Sequence, residues 1–214
     1  TTMFISLSIQ IILLIVTFNG FFIKLDAKDL VLKQIFILEY IVQVIEALMY
    51  IWLINSITTN TILIQRRYID WVITTPIMLI STILFMEYKL VRSFSLKTFF
   101  TKHSIIIFQI LAFNWLMLLF GFLGESKQLN KMLSITIGFI CFVGVFGLIK
   151  SHFVKDNIIN ERLFWFITII WGLYGFAAIA SDKIKNISYN FLDIISKNFY
   201  ELFIYIMLLY RQIN

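Results

Sequence analysis

Arg67-Tyr68-Ile69-Asp70-Trp71-Val72-Ile73-Thr74-Thr75-Pro76 opens an apolar run that continues without a further charge to Met86. The run is long enough to cross a bilayer as a helix. On that helix Arg67, Asp70 and Thr74 fall at three- and four-residue spacings and share one face. An ionisable side chain at membrane depth costs at least about 2.5–3.5 kcal/mol, so a helix that keeps an arginine and an aspartate there needs neighbours to enclose them.

Outward from this stretch the same pattern recurs. Apolar spans are predicted over the N-terminal run TTMFISLSIQIILLIVTFNGFF, then Leu30–Ile54, Tyr68–Met86, Ser104–Leu123, Met132–Ile149, Leu163–Ala180 and Tyr189–Tyr210, with most charges in the short segments between them. The first run lacks the basic start and small-residue cleavage site of a secretory leader, so it reads as the first span. The expectation is an all-α membrane protein of seven transmembrane helices, with residues 1–214 forming a single multi-pass integral membrane domain. Asn55 to Gln65 (NSITTNTILIQ), β-branched around Thr-Asn-Thr, reads as a short hairpin on the membrane face.

Composition agrees. Of 214 residues 60% are hydrophobic and 14% charged, against roughly a quarter charged in a soluble domain. The 23 Phe, 9 Tyr and 5 Trp need lipid or a large apolar ligand to pack on. The net charge of +6 suits an anionic membrane surface, and without basic clusters a nucleic-acid partner is not expected. The lone Cys141 leaves neither an internal disulfide nor a cysteine metal site, and no metal is expected. Of the 18 Lys and Arg residues, eleven fall on the side of connections one, three and five and five on the other. Positive loops stay in the cytoplasm, so the N-terminus is expected outside and the C-terminus inside.

The ionisable residues in or at the edge of spans are Glu39, Glu46, Arg67, Asp70, Asp193, Lys197 and Glu201. Lys197 lies too far inside its span to snorkel to the headgroups. Asp193 precedes it by one turn on the same face. That pair reads either as an intrahelical ion pair or as a lysine that forms an imine with an aldehyde, with Asp193 in its counterion.

The third span decides between these readings. With Asp-x-x-x-Lys in the last span, it resembles the microbial rhodopsins, the retinal-binding family typified by bacteriorhodopsin, and the resemblance covers the seven-helix layout. The short loops are most similar to the rhodopsins of large viruses, and Asp70, Thr74 and Ser81 match their Asp-Thr-Ser motif. The resemblance implies a photoreceptor rather than an enzyme, with all-trans retinal bound covalently at Lys197 as a protonated Schiff base. It implies Asp70 and Asp193 as counterions, Arg67 balancing their surplus charge, and Trp71, Thr75, Trp171 and Tyr174 flanking the polyene. Thr74 is expected to donate a hydrogen bond to the Asp70 carboxylate. The family pattern Trp-x-x-Tyr-Pro-x-x-Trp is broken here by Gly175 and Ala178, which loosens the ring end of the pocket; Trp115 and Phe113 are candidates to fill it.

The ion path is read from the remaining polar residues. The position of the family's cytoplasmic proton donor is Ser81, so the usual acid is missing. Glu39, Gln43 and Glu46 form one polar stripe, and Asn190, Asp193, Lys197 and Glu201 another. At the outer end the family's proton-release glutamates map near Lys183 and Lys185, with Asp182 the nearest acid. Three functions follow from the resemblance: an outward light-driven proton pump, which is the leading expectation; a light-gated cation channel lined by Glu39, Glu46, Asn190 and Glu201; and a photosensor with a separate transducer. The partners expected are the lipid bilayer, retinal, and a transported proton or monovalent cation, and a homo-oligomer is compatible with the sequence.

Overall fold

A computed structural model describes residues 2–56 and 59–213. Its helices are α1 (Thr2–Thr17), α2 (Leu30–Asn55), α3 (Asn60–Leu90), α4 (Leu96–Glu125), α5 (Lys131–Ile149), α6 (Ile158–Ala177), α7 (Asp182–Asp193) and α8 (Phe199–Ile213). A π-helical turn, Ile194–Asn198, joins α7 to α8, so these two form one seventh span. A second π turn, Lys150–Val154, extends α5, and 3₁₀ turns at Phe18–Phe22 and Ala27–Asp29 carry the chain from α1 to α2. Among the described residues there are no strands.

The expected hairpin over Asn55 to Gln65 is therefore replaced. Residues 60–65 already belong to α3, while Ile57 and Thr58 lie outside the described residues. The Thr59 hydroxyl accepts from the Ile62 amide at 3.4 Å and starts the helix, and the helical register then buries Leu63 and Ile64. Burial on one face outweighs the β-branched preference of this short stretch. Asn130 and Asn157 cap α5 and α6 in the same way, each accepting from two backbone amides.

The distribution of side chains inverts that of a soluble protein. Phe4, Ile15, Ile105, Phe108, Val143 and Phe176 face outward, each more than half exposed, whereas Arg67, Asp70, Glu39, Glu46, Asp193, Lys197 and Glu201 are buried. Only a hydrocarbon surround makes that arrangement favourable. Among the described residues, five helical segments are long and apolar enough to cross a membrane by length and composition alone. The two that are not are α6, which opens with Glu161 and Arg162, and the seventh span, which carries Asp193, Lys197 and Glu201.

Each face is tied by charge. Towards the C-terminal face Asp29 takes two hydrogen bonds from Arg92, at 2.6 and 2.5 Å, and another from the Tyr88 hydroxyl. Lys33 Nζ donates to the carbonyls of Gly20, Phe21 and Ile23 at 2.5–2.9 Å and holds the first connection. A Cβ on Gly20 would overlap the buried Phe36 ring, so a larger residue there would force that ring to move. On the N-terminal face Lys185 pairs with Glu125 at 2.7 Å and joins α7 to the end of α4.

The fully buried Asn160 donates to the carbonyls of Met86, Phe153 and Val154 and so satisfies the end of the π turn after α5. Asn160→Ala is expected to lower stability by about 1–2 kcal/mol, read as an earlier loss of helical signal on heating in detergent. Asn55→Ala, at the exposed end of α2, is expected to change it by less than about 0.5 kcal/mol.

Candidate functional site

Helical spacing puts Arg67, Asp70, Thr74 and Ser81 on the buried face of α3, and α2 presents Glu39, Gln43, Glu46 and Tyr50 in the same manner. Lys197 lies inside the π turn, 2% exposed. Its Nζ is 2.5 Å from Asp70 Oδ2, 3.6 Å from Glu46 Oε1 and 3.9 Å from Asp193 Oδ1. Asp70 is thus the direct partner and Asp193 the more distant one.

Asp193 is held from other sides. It accepts from Arg67 at 2.9 Å, from the Tyr50 hydroxyl at 2.8 Å and from the Tyr174 hydroxyl at 2.8 Å. Arg67 also donates to Tyr50 and to the Asn190 side chain. Arg67 and Lys197 thus meet Asp70 and Asp193 at one centre. Glu46 adds a third carboxyl without a cation of its own.

Thr74 departs from expectation. Its hydroxyl donates at 2.9 Å to the backbone carbonyl of Asp70, not to the carboxylate. A threonine within a helix reaches the carbonyl one turn back without leaving a favoured rotamer, and the Asp70 side chain has turned away towards Lys197. Asp70 Oδ1 has no hydrogen-bond partner in the protein.

On the C-terminal side of Lys197 the two polar stripes meet. Ser81 Oγ donates to Glu39 Oε1 and to the Met78 carbonyl, so the place where α3 lacks an acid is filled by an acid from α2. Gln43 donates to Glu201 at 2.9 Å, and Asn198 donates to Gln43 at 2.8 Å and to Glu46 at 3.4 Å. Beyond them lies an apolar layer that includes Leu32, Ile35, Phe36, Ile83, Phe85 and Leu208.

Beside Lys197 is a cavity of about 130 Å³ lined by Trp71, Thr75, Met78, Trp171 and Tyr174 together with Lys197 itself. Trp71 stands edge-on to Tyr174 and Tyr189, with ring centroids 5.6 and 5.1 Å away. At the far end the lining is Ile135, Phe139, Phe142, Gly175 and Ala178. Neither Trp115 nor Phe113 fills that end: Trp115 is exposed and donates to the Val72 carbonyl, and Phe113 packs on Gly144. Phe139 takes the place, and a Cβ on Gly175 would come within 2.5 Å of its ring.

Several participants escaped the sequence reading. Tyr50 continues the α2 stripe by one more turn, and Asn198 follows Lys197 directly; both were open to detection by extending the stripes. Asn114, which donates to Thr75 at 2.8 Å, is the polar residue among the buried positions of α4. Glu125 is the acid that pairs most closely with Lys185, with Asp182 farther off at 3.5 Å. Asn186, in the sequence Asn-Ile-Ser, is buried and donates to the Asn60 and Asp182 carbonyls.

A sequence profile described as "Bacteriorhodopsin-like protein" matches residues 1–210. No curated protein sequence matches the chain. Among solved structures, the viral rhodopsin OLPVRII is 25% identical with a TM-score of 0.87, covering 100% of this chain and 97% of that one. A blue light-absorbing proteorhodopsin from Med12 is 19% identical with a TM-score of 0.77, covering 100% and 98%. Bromide-bound halorhodopsin from Halobacterium salinarum is 14% identical with a TM-score of 0.72, covering 100% and 93%; at these lower identities the likeness is one of fold. The profile spans nearly the whole chain, and the chain belongs to the bacteriorhodopsin-like family of microbial rhodopsins, multi-pass integral membrane photoreceptors and ion transporters that are not enzymes and that bind retinal through a lysine Schiff base.

Proposed function

We propose that this chain binds retinal at Lys197 and uses light to move protons outward across the membrane. The fit of the group rests on the donor set and the cavity: one buried amine opens into a space walled by Trp71, Trp171 and Tyr174, with few polar atoms, as a flat polyene requires. When bound, retinal supplies light absorption and a change of shape that alters the surroundings of the Lys197 nitrogen.

The protein's part is to give and take a proton at that nitrogen in a fixed order. Asp70, at 2.5 Å, is the acceptor and primary counterion. Asp193, held by Arg67, Tyr50 and Tyr174, is the second, fixed counterion, and Arg67 offsets its charge. Glu39 on Ser81 is the return donor, reaching from α2 to do what position 81 cannot. Orientation follows the eleven-to-five bias of basic residues, which puts Glu39 on the cytoplasmic side and Arg67 on the outer side.

The observation that carries the pump reading is this pair of buried acids on opposite sides of Lys197, with an apolar layer between Glu39 and the C-terminal face. A light-gated cation channel is the second reading. It is favoured by the continuous polar column Glu46, Asn198, Gln43 and Glu201. Photocurrent against voltage in a clamped cell separates them: a pump keeps one current direction, whereas a reversal that follows the sodium or potassium gradient selects the channel.

Three variants test the assignments. Lys197→Ala is expected to abolish the visible band after retinal addition, and a full-intensity band rejects the attachment site. Asp70→Asn is expected to shift the dark spectrum and to cut light-driven transport roughly a hundredfold; an unchanged spectrum and current would move the acceptor role to Asp193 or Glu46. Glu39→Gln is expected to slow photocycle recovery roughly a hundredfold and make it depend on bulk proton concentration. Recovery at the wild-type rate, insensitive to pH, removes Glu39 as donor.

A further inference from the structure

Where the start of α2 meets the ends of α3 and α8, on the C-terminal face, the charges do not balance. Asp29, 1% exposed, is the acid there. Its Oδ1 accepts from Arg92 Nε and the Tyr88 hydroxyl, and its Oδ2 accepts from Arg92 Nη2. Arg92 thereby takes up its charge.

Two more cations stand beside this pair. Arg211, in the last turn of α8, lies next to the Tyr88 hydroxyl and acts electrostatically on Asp29 and on Lys89. Lys89 follows Tyr88 on α3 and feels both arginines. Among the described residues neither Lys89 nor Arg211 pairs with a carboxylate, and Arg211 Nε is enclosed without a hydrogen-bond partner in the protein. Three cations against one acid leave two positive charges. The carbonyl ends of α3 and α8 each offset about half a charge, so about one positive charge remains.

We propose that Lys89, Arg92 and Arg211 bind the phosphate of an anionic phospholipid in the leaflet that meets this face. A phosphodiester carries the single negative charge that the cluster lacks, and guanidinium forks with an ammonium are the groups suited to hold it. All three cations are partly exposed, so they reach a headgroup without being buried by it. The surface beside them fits the rest of such a molecule. Ile206, Tyr210 and Ile213 fall at four- and three-residue spacings on α8 and are each more than half exposed, and Val91, between Lys89 and Arg92, is half exposed. Free phosphate offers the same oxygens but has no use for that apolar stripe. The site stands apart from the Lys197 centre and does not depend on retinal.

Competition in native mass spectrometry tests the assignment. The full chain, released from detergent with equal amounts of phosphatidylglycerol and phosphatidylcholine, is expected to keep phosphatidylglycerol about tenfold more often. In Lys89→Gln/Arg211→Gln the two lipids are expected to bind equally. Lys97→Gln/Lys102→Gln, which removes two exposed cations of the same face outside the cluster, is expected to retain the preference. Equal loss in both pairs assigns the effect to general surface charge and overturns the site. Wild-type protein without a preference overturns it as well, and that arm decides the matter even where the first double variant does not accumulate. A preference erased by millimolar inorganic phosphate overturns the lipid in favour of a free anion; a preference that survives it supports the lipid.

Discussion

The contact between Lys197 and Asp70 sets the terms for everything around it. A lysine 2% exposed in the middle of a bilayer-sized bundle is tolerable only beside an anion, and the anion then has to be enclosed as well. Each further buried polar group follows from the one before. Asp193 needs Arg67, Arg67 needs Tyr50 and Asn190, and Glu46 needs Asn198, so that four helical segments are drawn to one centre. Lipid tails give helices no hydrophobic reason to associate, and this chain of obligations supplies a specific one.

The apolar half of the site follows a different logic. Trp71, Tyr174 and Tyr189 meet edge to face or stacked, which fixes flat aromatic walls, and the Tyr174 hydroxyl is engaged by Asp193. The departures at Gly175 and Ala178 are compensated from α5, where Phe139 occupies the room that a larger residue on α6 would fill. Pocket length here is set by a side chain on a neighbouring helix.

The fold was legible because membrane spans announce themselves by composition, and the centre was legible because charges in such spans are few. Asp70, Asp193 and Lys197 stand out in the sequence for the same reason that they converge in space. What stayed hidden depends on side-chain direction. Whether Thr74 bonds a carboxylate or a backbone carbonyl turns on one rotamer, and nothing in the order of residues states that Glu39 meets Ser81 across two helices. The hairpin expected near Thr59 failed because local β preference carries no knowledge of the partner face that buries Leu63 and Ile64.

The unequal apolar character of the spans also bears on how the protein is made. Among the described residues, five segments, all in the first 154 residues, are long and apolar enough to cross a bilayer by length and composition, whereas the seventh span carries two acids and a lysine that are costly in lipid. The groups that neutralise them, on α2 and α3, are synthesised earlier. The last span thus meets the partners of its charges only on helices that precede it in the chain, so its place in the bilayer draws on the earlier spans rather than on its own apolar character.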